Sequence, residues 1–331
     1  MSKETPVTID PARPVRLDPV CIPKPWGQEI WYTGIEKRGV SGVLIEESRL
    51  PIDEYLACNP GGLSNHAPLL LLKILDPKPT QVVGDLYFEV HEEKQEVYVV
   101  TSVDRQAWPG GKGAIRFGMN QSVRSKYTDD DAFRQAYLEA VQDYEGIRRK
   151  IDDGPLSPGD EAIELELRAT MESFTSMRPL SVGDVVKVPT WTPHALQHGV
   201  RVVEFQTATY ERFIISFAQK VLTQNHWDSQ TAVAKMSLDA PEPPSFQNVG
   251  PGIERIVEFS DFNVWRAQAC ESVDLPKHVP YAVCMSLADG VTIADLTLQA
   301  EEACFIPYQA IQQGITIHNQ RRTVLISAPN L

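Results

Sequence analysis

The sequence predicts a mainly β protein made of two β-rich parts, with an α-helical insertion in or beside the first. Three observations predict it. Val, Ile and Thr recur in short runs, and the 25 Pro and 20 Gly are scattered rather than clustered, as a fold of many short strands and turns requires. One internal stretch switches to helical spacing, and one proline-dense segment divides the chain. At 331 residues and 42% hydrophobic composition, the chain is also too long for one core, since single cores rarely grow beyond roughly 200 to 250 residues.

The elements follow in order. From Val82 to Val103, GDLYFEVHEEKQEVYVVTSV reads as two strands joined by the polar turn HEEKQ. After the acidic stretch TDDD, Phe133, Tyr137, Ala140, Val141, Tyr144 and Ile147 recur at three-and-four spacing, which predicts an amphipathic helix over 128–151. A second helix is expected from near Ser157, where SPGDE offers a cap and first-turn acids, through Ile163, Leu165, Leu167 and Met171. Strands return with GDVVKVP at Gly183 and GVRVVEFQT. The segment DAPEPPSFQNVGPG has a Pro and Gly density that suits a linker, and short strands follow it to the end.

These readings divide the chain into a β-domain of residues 1–117 and 179–238, a helical insertion at 118–178, a linker at 239–252 and a second β-domain at 253–331. A short internal repeat joins the two β-rich parts: HALQHGV from His194 to Val200 against QAIQQGI from Gln309 to Ile315. His194 is matched by Gln309, so the second copy lacks the one chemically useful side chain.

A formal charge of -13 without any run of Lys and Arg argues against a nucleic-acid partner. In so acidic a chain, basic side chains gathered in a pocket would stand out as binders of an anionic ligand. The first ten residues are polar and lack a leader's apolar core, and the longest apolar run, around Leu69 to Leu75, is far shorter than the roughly 20 residues that span a bilayer. The five cysteines, Cys21, Cys58, Cys270, Cys284 and Cys304, are odd in number and widely spaced, so they read as reduced and mostly buried. A cytoplasmic protein that acts on no membrane is expected; the oligomeric state is not legible.

Residues two apart on a strand share a face, so Glu89 and His91 can project together into a barrel interior. The turn after His91 lets Glu96, at the start of the return strand, face back toward it. His194 follows Pro189 and Pro193, which fix the backbone presenting it. Two imidazoles and two carboxylates in the pattern E-x-H-x(4)-E plus a distant His suit a divalent metal, zinc first, with manganese, iron or cobalt as alternatives.

This spacing resembles the cupin signature, with Gly84 five residues before Glu89 and a second motif running from Gly183 to His194. Cupins are jelly-roll barrels, so the resemblance implies two of them, the second degenerate. The closer likeness is to type I phosphomannose isomerases, from KPWGQEIW at Lys24 onward through PLLLLKILD, FEVH, KQE, VPTWTPHAL and VVEFQTATYER. It implies Zn²⁺ bound by Glu89, His91, Glu96 and His194, with Arg212, Glu204 and Lys94 as catalytic groups and Trp26 and Lys73 lining the substrate pocket. The chain departs from that family at Glu89, where Gln is usual, at Thr207 and Ala208, which replace Ser-Asp, and at the extra residue Glu211.

The implied activity is aldose–ketose isomerisation of a sugar phosphate, mannose 6-phosphate and fructose 6-phosphate being the expected pair. That reaction needs a base, a polarised carbonyl and a stabiliser for the developing oxyanion. The base is Glu204, Lys94 through a water, or a metal-bound hydroxide. Lys24, Lys73, Lys94, Lys112 and Arg116 are candidates for the phosphate. The competing readings are an isomerase of a different sugar, a non-catalytic sugar-binding or regulatory cupin, and an iron-dependent cupin oxygenase.

Overall fold

In the computed structural model, residues 9–46, 48–58 and 68–330 are described; most of the polar N-terminal stretch lies outside them. The fold is mainly β, and its described strands form layers. A six-stranded antiparallel sheet takes the order Val185–Val188, Glu96–Val103, Val200–Gln206, Leu71–Pro77, Gly27–Trp31 and Val20–Lys24. Facing it is a five-stranded sheet of Thr175–Leu180, Gly113–Met119, His194–Leu196, Phe88–Val90 and Phe213–Ser216. The two share an apolar core in which Tyr98, Val100 and Val202 of the first meet Ile115, Leu196 and Ile214 of the second.

The opposite face of the six-stranded sheet is buried too. There Leu72, Ile74, Val97, Val203 and Phe205 pack against Val15, Val43, Val264 and Phe305 of a nine-stranded sheet. Burial on both faces explains why Glu96 to Val100 is buried without a break, where a half-exposed strand would alternate polar and apolar residues. Behind the nine-stranded sheet, a four-stranded sheet closes the C-terminal core around Ile293, Leu298 and Ile317.

The helices sit outside the five-stranded sheet. Gly113–Met119 pairs with Thr175–Leu180, Gly113 opposite Leu180, so helices Gln121–Arg124, Asp130–Asp153 and Asp160–Ser173 leave and return at one hairpin end. Asp129 caps the long helix, its carboxylate accepting from the Ala132 N–H at 2.8 Å. Phe133, Tyr137, Val141, Tyr144 and Ile147 form its buried stripe, against the outer face of the sheet.

Several expectations are corrected. The second helix begins at Asp160, not Ser157: Ser157 is no cap, and its N–H instead donates to Asp160 Oδ2 at 2.7 Å. On that helix Met171 is buried, whereas Ile163 and Leu165 are exposed. Strands Val15–Asp18, Gly42–Ile45 and Ser48–Pro51, expected with the first barrel, join the nine-stranded sheet beside C-terminal strands. Within the expected linker, Gln247–Gly250 is a strand paired with Ile253–Glu258. The internal repeat carries no shared conformation, since His194–Leu196 is a strand and Tyr308–Gln312 a helix. All five cysteines are free, but only Cys284 and Cys304 are buried; Cys21 and Cys58 are exposed. No described helix is long and apolar enough to cross a membrane.

Candidate metal centre and its cavity

Four side chains expected to share a metal are close neighbours. Glu89 lies directly opposite His194 in the register of their two short strands, and His91 follows one residue beyond the end of the Phe88–Val90 strand. Ligand atoms of Glu89, His91 and His194 all lie within 4.8 Å of one another. Glu96 reaches in from the facing sheet, its Oε1 3.6 Å from His91 Nε2 and its Oε2 3.1 Å from His194 Nε2.

Hydrogen bonds orient both imidazoles. His91 Nδ1 donates to the Glu211 carbonyl at 3.0 Å and His194 Nδ1 to the Thr192 carbonyl at 2.9 Å. A carbonyl can only accept, so each Nδ1 carries a proton, and each Nε2 is the nitrogen turned toward the other candidate ligands. Backbone carbonyls on the far nitrogen are the usual orienting partners of metal-binding histidines. Two acceptors, His91 Nε2 and Glu89 Oε2, are buried without a hydrogen-bond partner. Burying unmatched acceptors is costly, and a cation relieves all of them together, so these residues fit a divalent metal.

The backbone is tied to hold this arrangement. Trp191 adopts a left-handed φ of 58°, its N–H donates to the His91 carbonyl at 2.7 Å, and its own carbonyl accepts from Ser237 at 2.7 Å. The His194 segment is thereby fastened to the His91 turn. Gly84 allows a second close approach, because a Cβ there would meet the Lys78 carbonyl oxygen at 1.9 Å.

Charges are matched in a row across the six-stranded sheet. Tyr98, Glu204 and Lys73 are register partners on adjacent strands, and on the next strand Trp31 lies opposite Lys73 and Glu29 opposite Leu75. Lys94 Nζ holds Glu96 Oε1 at 2.5 Å, Tyr98 donates to Glu96 Oε2 at 2.6 Å, and Lys73 Nζ lies 3.2 Å from Glu204 Oε2. Burial alone would raise both acids. Lys94, His91 and His194 reverse that for Glu96 and hold it well below the usual carboxylate range. Glu204 is pushed well above it by burial and the neighbouring Glu96 charge, against the pull of Lys73 and Lys94. Burial, reinforced by Lys94, keeps His91 well below the ordinary histidine value, hence neutral.

A cavity of about 350 Å³ opens over this cluster, with Glu89, Lys73, Lys94 and Arg212 in its wall. Arg212 donates to Thr223 Oγ1 at 2.7 Å and stacks 4.4 Å over Tyr87. Not every expected site residue reaches it. Glu204 is 1% exposed and lies behind Lys73, with Oε1 unpartnered. Trp26 is buried in the apolar core below, its indole N–H unpaired; Trp31, five residues on, lines the cavity instead. Lys112 is exposed just before the Gly113–Met119 strand, and Arg116 is engaged by Glu172 and Thr175 under the helices.

Sequence reasoning missed Tyr98 and Glu29. Tyr98 was readable as the next inward position after Glu96, and Glu29 as the partner two residues before Trp31, whose indole donates to it at 2.7 Å.

Fold and site together give a mainly β, cupin-like architecture with an internal cluster of candidate metal ligands. Its fold is that of the phosphomannose isomerases, as three solved structures illustrate. Mannose 6-phosphate isomerase from Bacillus subtilis superposes with a TM-score of 0.68 at 17% identity, covering 95% of this chain and 99% of that one. A mutant of phosphomannose isomerase from Salmonella typhimurium gives 0.71 at 13% identity, covering 96% and 100%. A zinc-bound mannose 6-phosphate isomerase gives 0.69 at 12% identity, also covering 96% and 100%. No family model matches the sequence, and no curated protein matches it.

Proposed function

We propose that this protein is a metal-dependent aldose–ketose isomerase acting on a sugar phosphate in the cytoplasm, with mannose 6-phosphate and fructose 6-phosphate as its first candidate pair. One observation carries the reading: two imidazoles and two carboxylates converge on one point at the wall of a cation-lined cavity. Similarity to solved isomerases over nearly the whole chain supports it.

Glu89, His91 and His194, with Glu96 beside them, would hold the ion. A zinc ion there supplies Lewis acidity to a carbonyl oxygen in the cavity. The remaining work falls to the chain. Isomerisation takes a proton from one carbon and returns it to its neighbour, so the carrier must face the cavity. Lys94 does, paired with Glu96, and we assign it that transfer: its ammonium first passes a proton to the Glu96 carboxylate, and the neutral amine then takes the carbon proton, directly or through one water, and returns it to the neighbouring carbon. Glu204, screened from the cavity by Lys73, is a positioning residue that fixes the Lys73 ammonium. Arg212, free of any carboxylate partner among the described residues, offsets negative charge developing on the substrate.

The departures from the family pattern fit this reading. Glu211 supplies the carbonyl that orients His91, and its carboxylate accepts from the Glu92 and Glu93 N–H groups at 2.9 and 3.3 Å. The extra residue thus braces the metal cluster. The test is a coupled assay on mannose 6-phosphate with protein of measured zinc content. Turnover that vanishes in Lys94→Met while zinc stays bound is expected; zinc-loaded protein inert toward every hexose phosphate would overturn the proposal.

A further inference from the structure

The cavity has two unlike ends. Glu89 marks the end at the metal cluster, and Lys24, Trp31, Arg38 and Tyr210 line the other. Arg38 sits at the tip of a hairpin formed by Ile35–Glu36 and Gly39–Val40. Its guanidinium carbon lies 5.7 Å from the ring centroids of both Trp31 and Tyr210, which are 5.4 Å apart. Stacking on two aromatic faces restrains a long side chain that otherwise has free rotation. Glu36 takes only the Nε of Arg38. Neither terminal nitrogen has a hydrogen bond among the described residues, which leaves the fork that suits a bidentate oxyanion.

The neighbouring cations are incompletely matched. Lys24 has one acid, Glu29 at 3.3 Å, and Glu29 also serves the Trp31 indole. Burial, together with the charges of Lys73 and Arg212, lowers the Lys24 ammonium despite Glu29. Arg212 has no carboxylate within ion-pair distance among the described residues, and Glu211 spends its own carboxylate on two backbone N–H groups. In a chain of net charge -13, this gathering of positive charge calls for a ligand carrying negative charge.

We propose that Arg38, with Lys24, forms an anion subsite that binds the phosphate on the terminal carbon of the substrate, and that Trp31 and Tyr210 hold Arg38 in position. This rests on reading the cavity as a sugar-phosphate site. The geometry selects the terminal carbon: the strand bearing Glu96 and the strand bearing Trp31 are three spacings apart in the sheet, about 14 Å along it. A phosphate next to the reacting carbonyl would not reach Arg38, whereas one at the far end of an open-chain sugar lies toward it.

The experiment is calorimetric titration of the zinc-loaded protein with sorbitol 6-phosphate, which cannot isomerise, and with sorbitol. Wild type is expected to bind the phosphate and not sorbitol. Arg38→Ala is expected to weaken sorbitol 6-phosphate binding by about tenfold or more, equivalent to about 1.4 kcal/mol, with Arg38→Lys recovering part of the loss and neither changing zinc content. The subsite is overturned if Arg38→Ala binds within about twofold of wild type, or if wild type does not prefer the phosphate. Arg38-dependent binding by a protein that isomerises no sugar would retain the subsite and reject the isomerase reading, so the two fail separately.

Discussion

At the residue scale, the site depends on which imidazole nitrogen faces the cluster. With Nδ1 of His91 and His194 committed to backbone carbonyls, each Nε2 is the atom left to bind the proposed metal. His91→Ala and His194→Ala are each expected to lower zinc occupancy, measured by elemental analysis after dialysis, by tenfold or more. Glu211→Ala leaves its carbonyl in place and removes only the carboxylate bonds to Glu92 and Glu93, so a smaller effect is expected: about 1 kcal/mol of stability in denaturant titration, with zinc retained. The four proposed ligands were legible because their spacing is a property of the strands that carry them. The carbonyl partners, the Tyr98 bond and the stacked Arg38 were not, since they depend on which loops fold back over the site. Trp26 and Trp31 show the difficulty directly. Both are aromatic, close in sequence and nearly inaccessible, and only the register of the strand carrying Trp31 says which one borders the cavity.

At the element scale, capping and close approach decide which helices and turns form. Asp129→Ala removes the bond to the Ala132 N–H and is expected to cost about 1 kcal/mol, read as a lower midpoint in urea. Gly84→Ala meets the Lys78 carbonyl head-on. It is expected to cost several times more, or to abolish soluble expression, because backbone on both sides must shift. The long helix was legible to within about two residues, as Asp129 and the Phe133–Ile147 stripe agree. The second was misplaced at its start because Asp160, inside the helix, reaches back to Ser157 instead of being capped by it. Its apolar residues also misled, since Ile163 and Leu165 face outward and only tertiary packing distinguishes them from Met171.

At the scale of the whole molecule, the halves are interlocked. Val15–Asp18 pairs on one side with Gly42–Ile45 and on the other with Ala303–Pro307, and Arg201 bonds Glu301 at 2.7 Å. A fragment ending at residue 238 would expose the outer face of the six-stranded sheet and is expected to remain unfolded, whereas the full chain melts as one calorimetric transition. This interleaving was illegible because strand order in a sheet leaves no trace in composition. Acid sensitivity is set at the same scale. Burial would raise Glu29, but Lys73, Lys24 and the Trp31 indole hold it at about 2, below its ordinary 4.5. Its contribution is therefore complete above about pH 4.5 and is lost as pH falls toward 2, an effect on the order of 3 kcal/mol. Glu29→Gln is expected to flatten the unfolding free energy over that acid range.

The central sheet serves two masters through alternate residues. Along 96–100, Glu96, Tyr98 and Val100 face inward, while Val97 and Val99 belong to the core on the other side. One added or deleted residue there would turn valines toward the candidate metal ligands and drive a carboxylate into the apolar core. Lineages of this protein can therefore diverge within these strands by substitution alone, and must place their length changes at hairpin ends, where the helical excursion between Met119 and Thr175 already lies.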